Sequence, residues 1–258
     1  MGECPFDDCL VYRGKEGKFS MNIQTGQCQC FRCGFKGNSY SFIRAIHSYY
    51  LSQTTRDQYE SLCKLRKSAF DVSICEEMQL AFNTATGEWM LPAWSKGGHA
   101  EGIVNLYCWR TSFDPDTNKS RRQIYSGPTF KQHAYGIHRL RDGGRPIVVL
   151  EGHWDYLAFC SLLSATKMWP KYDCVGKPGS AFPKSSLSIF NGREVILMFD
   201  NDAAGEAGVE SICKSMTASG VIPTSLYILK WPEGLDKGFD VSDVCTKLPA
   251  KHIKKVKK

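Results

Sequence analysis

The run Val195-Ile-Leu-Met-Phe-Asp-Asn-Asp-Ala-Ala-Gly205 constrains this chain more than any other stretch. Five apolar residues end abruptly on Asp200-Asn201-Asp202, and Gly205 follows. Such a run reads as a strand buried on both faces of a sheet. Its acidic end then falls where open α/β sheets place their ligands, at the carboxyl ends of the strands. The i, i+2 spacing points both carboxylates the same way along extended chain. Two like charges that close call for a shared cation. Oxygen donors with nothing softer beside them favour Mg²⁺ or Mn²⁺. The plainer alternative is a capped strand-to-helix turn, because Asp and Asn are good N-caps.

A second strand repeats the pattern. Ile147 to Leu150 delivers Glu151 at its end, Gly152 allows a tight turn, and Asp155 opens a helix running through Leu157, Phe159 and Leu163. In a parallel sheet both strand ends open on one edge, so Glu151, Asp200 and Asp202 can converge there. Between them Asp173-Cys-Val-Gly-Lys-Pro-Gly-Ser180 reads as a strand entering a glycine-rich loop. Gly205 to Ser219 reads as a helix and Ser225 to Leu229 as a strand, and a further acidic cluster stands at Gly238-Phe-Asp-Val-Ser-Asp243. This alternation of strands and helices predicts a doubly wound α/β layout.

The amino-terminal segment is a different kind of object. Cys4, Cys9, Cys30 and Cys33 give C-x4-C, a gap of twenty residues, then C-x2-C. Two such knuckles on adjoining hairpins bring four sulfurs to one tetrahedral site, a zinc ribbon holding one structural Zn²⁺. Zinc bound by thiolates also explains how so short a segment folds, since its core alone is too small. Asp7 and Cys28 are rivals to Cys9 for the remaining position, and Cys9 is favoured. Twelve cysteines in the chain, with no apparent export signal, point to a reducing compartment, cytoplasmic rather than secreted. No apolar run approaches a membrane span.

Ser39 to about Lys67 shows helical spacing, with a break and restart at Thr54-Thr55-Arg56. His47 on that stretch reads as a surface histidine or a satisfied core one. From Ser68 to Arg145 the pattern turns to short strands at Gln79–Phe82, Trp89–Trp94 and Ile103–Trp109. From Arg110 onward the segment is strongly basic: Arg110, Lys119, Arg121, Arg122, Lys131, Arg139, Arg141 and Arg145 stand against Asp114, Asp116 and Asp142. Trp109, Phe113, Tyr125, Phe130 and Tyr135 are interleaved. Charge for phosphates and flat rings for bases is the composition of a single-strand nucleic-acid surface, though basic loops are also often merely solvated. The net charge of +7 points the same way, to a polyanionic partner. The tail Lys251-His-Ile-Lys-Lys-Val-Lys-Lys258 reads as frayed and solvated, adding nonspecific affinity for nucleic acid or marking a truncated chain.

Glu151-Gly-x-x-Asp155 followed by Asp200-x-Asp202-x-x-Gly205 resembles the signature of the TOPRIM fold, which primases, topoisomerases, nucleases and recombination proteins share. Cys4-Pro-Phe, then Cys30-Phe-Arg-Cys-Gly34 with Lys36-Gly-Asn38, resembles the zinc-binding domain of bacterial and phage-type (DnaG-like) DNA primases. Arg121, Tyr125-Ser-Gly-Pro128 and Tyr135-Gly-Ile-His138 resemble the primase segment just before the TOPRIM motif. In bacterial members the second zinc ligand commonly stands where this chain has Asp7, so the loop here differs. The expected organisation is a zinc ribbon over 1–50, a linker helix over 51–67, a basic subdomain over 68–145, a TOPRIM subdomain over 146–250 and a basic tail over 251–258. The expected fold class is α/β, or α+β taken overall: a small β-rich ribbon followed by a primase catalytic domain.

The resemblance implies synthesis of short RNA primers on single-stranded DNA by metal-dependent nucleotidyl transfer. Ribonucleoside triphosphates would be substrates, an RNA primer on DNA the product, and a replicative helicase the partner, as a separate chain or a further domain. No P-loop signature occurs in the chain. Two ions of Mg²⁺ or Mn²⁺ would sit on Asp200, Asp202 and Asp240 or Asp243, with Glu151 as general base or further ligand. Arg121, Arg122 and Lys131 would hold nucleotide or template phosphates. Lys177 would do likewise, unless it is simply a surface lysine. The ribbon would read the template, with Arg32, Phe35 and Lys36 as candidate contacts. A metal-dependent TOPRIM nuclease and a zinc-ribbon DNA-binding module without catalysis are the competing readings.

Overall fold

The computed structural model describes Cys4 and residues 18–98, 102–114, 119–126, 130, 132–141 and 144–247; at strand positions 111–114 and 119–126 it describes the backbone alone. Two compact units emerge. One holds the described residues of Met1–Thr55 with Met78–Ala93 and His99–Lys131. The other holds Arg56–Glu77, Trp94–Gly98 and the described residues of Gln132–Lys258. Among the described residues no helix is long and apolar enough to cross a membrane.

The first unit carries two antiparallel arrangements. β1 (Phe19–Met21), β2 (Cys28–Cys30) and β3 (Lys36–Gly37) form a small sheet in that order. Helix α1 (Ser39–Gln53) follows, opened by a capping box: Asn38 Oδ1 accepts from the Ser41 N–H at 3.0 Å, and Ser41 Oγ accepts from the Asn38 N–H at 2.7 Å. The helix stops at Thr54, whose hydroxyl bonds back to the Tyr50 carbonyl, and the chain restarts after Thr55, as the sequence predicts. His47 is a satisfied core histidine. It is buried, its Nε2 lies 2.7 Å from the Gln79 carbonyl, and burial depresses its pKa to about 4.

β4 (Ala81–Asn83), β5 (Glu88–Trp94), β6 (Ile103–Asp114) and β7 (Lys119–Ser126) then build a four-stranded sheet in chain order. Residues 110–114 and 119–126 of the basic segment are therefore strand. β6 and β7 pair antiparallel from Tyr107↔Ser126 to Asp114↔Lys119, with Arg121 opposite Ser112 and Arg122 opposite Thr111.

The second unit begins with α2 (Arg56–Leu65) and α3 (Val72–Glu77) and is built on a parallel sheet. Its strands are β8 (Ile147–Leu150), β9 (Asp173–Gly176), β10 (Glu194–Met198) and β11 (Ser225–Ile228), in the order β11-β10-β8-β9. Helices α4 (His153–Ala165), α5 (Ala203–Ala218) and α6 (Val241–Lys247) follow β8, β10 and β11. This is the expected α/β layout. One face of the sheet joins Ile147, Val149, Val175, Val195 and Leu197 to Leu187, Phe190, Ile212 and Met216 in a single apolar core. β8 is buried throughout, but β10 is not buried on both faces: Val195 and Leu197 are buried while Glu194, Ile196 and Met198 are half-buried. The physical reason is the neighbour. β11 is the sheet edge, its Leu226, Tyr227 and Ile228 are exposed, and it gives the outer face of β10 little cover.

Candidate active site at the carboxyl edge of the parallel sheet

Register places the acidic groups. Leu150 stands beside Met198 on one side and Gly176 on the other. The residues that follow, Glu151, Phe199-Asp200 and Lys177, therefore leave the sheet at one level on one edge. The acidic segment after β11 is drawn to the same edge by backbone bonds. Asn201 N–H donates to the Phe239 carbonyl and Gly238 N–H to the Asn201 carbonyl, both at 2.9 Å. The Trp231 indole adds a bond to the Phe199 carbonyl at 2.7 Å.

Asp200 is the electrostatic focus. Its pKa is pushed up to about 8, first by burial, then by the charges of Asp155, Glu151, Asp240 and Asp202. Asp155 is raised to about 6 by burial and by Asp240, against the Ser242 hydroxyl that donates to its Oδ1 at 3.0 Å. Burial raises Asp240 as well, while the Asp243 N–H donates to its Oδ1 at 2.7 Å. The Arg66 guanidinium, stacked 5.0 Å over Trp154, favours the charged forms of both Asp155 and Asp240. Glu151 is positioned from two sides: its Oε2 accepts the Asp200 N–H at 3.1 Å and its Oε1 lies 3.5 Å from Lys177 Nζ.

Lys177 is not a surface lysine. It is 5% exposed, stands 5.0 Å over the Phe199 ring, and donates to the Ser180 carbonyl at 3.4 Å. Its neighbour Gly176 is fixed by paired backbone bonds with Tyr135, in the segment that resembles the primase run before the TOPRIM motif.

Asp202 performs the capping role anticipated as the plainer alternative. Its Oδ1 accepts from the Ala204 and Gly205 N–H groups, each at 2.9 Å, and so opens α5. Gly205 is sterically required: an added Cβ would lie 2.2 Å from the Asp200 carbonyl oxygen. That close approach folds the helix start onto the strand end and presents Asp200 beside Glu151. Asp243 pairs with Lys247 at 3.1 Å, and its charge raises the pKa of Asp240. Of the two alternatives for a third acidic ligand, Asp240 acts directly on Asp200 and Asp155, and Asp243 acts on Asp240.

The donor set is all carboxylate, as Mg²⁺ or Mn²⁺ demands, and mutual repulsion gives it a reason to take a cation. No three of these carboxylates have oxygens all within 4.8 Å of one another. That fits a Mg²⁺ ion, which is held by one or two carboxylates and keeps waters or phosphate oxygens in its remaining positions. Asp155 and Arg66 are functional candidates that sequence reasoning passed over. The signal for Asp155 was present in the Glu151-Gly-x-x-Asp155 motif; Arg66 had none.

The cysteine cluster lies in the first unit. Cys4, Cys30 and Cys33 present sulfurs all within 4.8 Å of one another, and Cys4 and Cys33 are 3.8 Å apart. Four sulfurs at the zinc–thiolate distance in a tetrahedron stand about 3.8 Å apart, so these three fit zinc. Cys30 Sγ also accepts the Arg32 N–H at 3.4 Å, which orients it as a ligand. Cys28 turns away, toward the Asn38 carbonyl at 3.7 Å. Cys9, Asp7 and Lys131 lie outside the described residues, as do the side chains of Arg121 and Arg122.

Comparison with curated proteins gives no match. Among solved structures the chain is similar to one in a complex of bacteriophage T7 lagging-strand DNA polymerase interacting with primase domains of two gp4 subunits, bound to an RNA/DNA hybrid and dTTP. The identity is 22%, over 66% of this chain and 79% of that one, with a TM-score of 0.45. Residues 148–243 match the family model described as Toprim-like, so the parallel sheet with its acidic edge is a Toprim-like domain.

Proposed function

We propose that this chain is a DNA primase that joins ribonucleotides on a single-stranded DNA template. The observation that carries the reading is the convergence of Glu151, Asp155, Asp200 and Asp240 on one sheet edge, where each of the others raises the proton affinity of Asp200. Such a group of acids is poised for divalent cations. Two of them, when bound, would neutralise the attacking and leaving oxygens of a phosphoryl transfer. Asp200 and Asp240 are the proposed ligands at the centre of the edge, with Asp202 sharing one carboxylate between helix cap and metal. In the reaction a ribose hydroxyl oxygen bonds to an α-phosphorus, the bond to the β-phosphate breaks, and pyrophosphate leaves. Glu151 is placed either to receive the hydroxyl proton or to serve as a further ligand. Lys177 and the Asp200 N–H hold it in place for either role.

The partners follow as proposals. Template and primer–template hybrid would be met by the basic hairpin β6–β7, with Arg121, Arg122 and Lys131 on phosphates. Cys4, Cys30 and Cys33, completed by Cys9, would hold one structural Zn²⁺ and present Arg32, Phe35 and Lys36 to the template. A replicative helicase would deliver the single strand.

The test is template-directed synthesis with labelled ribonucleotides, single-stranded DNA of varied sequence and Mg²⁺ or Mn²⁺. Short RNA products that vanish in Asp200→Asn and Asp202→Asn support the reading. Degradation of the template without synthesis would replace it with a nuclease using the same carboxylates. DNA binding that survives both substitutions, with neither product from the wild type, would leave a binding module. Metal analysis should return one zinc per chain, lost in Cys30→Ser.

A further inference from the structure

The opposite edge of the same sheet holds a polar cavity that the chemistry above does not use. It measures about 350 Å³, within the usual range of ligand sites, about 300–1,000 Å³, and is lined by Lys96, Arg141, Ser188, Asn191 and Arg193 among others. Each side chain named is able to donate. Arg141 and Arg193 are braced from behind by Asp173, which is fully buried. Arg141 Nε lies 2.9 Å from Asp173 Oδ1 and Arg193 Nη2 2.6 Å from Oδ2. Arg141 Nη2 further donates to the Trp169 and Tyr172 carbonyls, and Arg193 donates to the Arg145 carbonyl. These bonds engage the Nε and Nη2 of both guanidiniums and leave the Nη1 of each with no hydrogen bond among the described residues.

Two more donors complete the ring. Asn191 Oδ1 accepts the Ile222 N–H at 3.0 Å, which leaves its amide NH₂ as a donor. Lys96 is exposed and makes no ion pair or hydrogen bond among the described residues. Of the cavity's charges, three are cations, and the one carboxylate behind them is Asp173, a surplus of two positive charges among the described residues. Fixed guanidinium donors with no matching acceptor are the chemistry of a phosphate site.

We infer that this cavity binds a phosphate group, as a free phosphate anion or as a phosphodiester of single-stranded nucleic acid. The reading does not depend on the reaction at the acidic edge. The pocket is rigid before its ligand arrives, because Asp173 and the backbone carbonyls already fix both arginines, and little conformational entropy is lost on binding.

The test titrates the full chain with inorganic phosphate in one arm and with an oligodeoxynucleotide lacking terminal phosphates in the other. The signals followed are the arginine Nε–Hε resonances of Arg141 and Arg193. Binding should move both signals. Lys96→Glu should weaken that binding about tenfold, the scale of one charge-assisted hydrogen bond, with the melting temperature unchanged. Lys214→Glu, on α5, should bind as the wild type does. A response in the phosphate arm alone assigns a free anion, and one in the oligonucleotide arm assigns the strand backbone. Stationary arginine signals in both arms, or a Lys96→Glu protein that binds as tightly as the wild type, would overturn the inference.

Discussion

Both edges of the parallel sheet hold an aspartate, one buried and one half-buried, with opposite consequences. At the amino edge Asp173 is 1% exposed and meets two guanidiniums and the Arg141 N–H. At the carboxyl edge Asp200 meets Glu151, Asp155, Asp202 and Asp240, with Lys177 engaged by Glu151. The residue type is the same and so is the sheet. One aspartate is a closed structural device, its charge matched on the spot. The other is left with a charge deficit that only something added from outside can fill. Charge balance, more than burial, separates a carboxylate that holds a fold from one placed for a ligand.

The comparison breaks first at Asp173. Asp173→Ala strands two guanidiniums that its carboxylate had compensated, and should cost about 3–5 kcal/mol of folding stability, read as a lower urea midpoint. Asp200→Asn should cost none and abolish the proposed primer synthesis. If both variants lose equal stability, the two edges are alike and the distinction fails. The second effect is metal linkage. Mg²⁺ at a hundred times its dissociation constant should stabilise the wild type by about 2.7 kcal/mol. Asp200→Asn should lose that gain in thermal melts.

The third effect is pH, measured without divalent metal. Asp200 has a pKa of about 8 in the fold against an ordinary 3.8. Between those values the folded chain keeps a proton that the unfolded chain has released. The folded state binds more protons, so stability falls as pH rises from about 4 to about 8 and levels beyond. Allowing for the partial exposure of Asp200, the loss should be about 2 kcal/mol, and Asp200→Asn should flatten the curve. A wild-type stability that rises across this window would contradict the charge deficit.

The carboxyl edge was legible because its chemistry lies in short contiguous motifs. Glu151 and Asp200 each terminate an apolar strand, and parallel register does the rest. The amino edge was not legible. Asp173, Arg141 and Arg193 are separated by up to 52 residues of chain, and nothing local says that two of eight or more basic residues will close on one acid. Arg141 read as part of a nucleic-acid surface for that reason. β7 escaped because Lys119-Ser-Arg-Arg-Gln-Ile-Tyr-Ser126 has no apolar alternation, and its strand form comes from pairing with β6. The exposed edge at β11 likewise decided how far β10 could be buried, which the run of five apolar residues could not reveal.

Lys177 carries the smallest effect and the sharpest version of the contrast. The sequence offers it as a loop lysine; the fold inserts it between Glu151 and the Phe199 ring. Lys177→Met keeps most of the stem's packing, and Glu151 keeps the Asp200 N–H and partial access to water, so stability at pH 5 should change by less than about 1 kcal/mol. At pH 8 the outcome should diverge. Glu151 would then face Asp200 with its nearest cation gone, and the fall in stability with rising pH should steepen. A matching Lys177→Met curve at every pH would make this lysine a packing residue. A steeper one would make it a partial counterweight: with Arg66, two cations against the five acids of that edge, where at the amino edge two guanidiniums meet one aspartate.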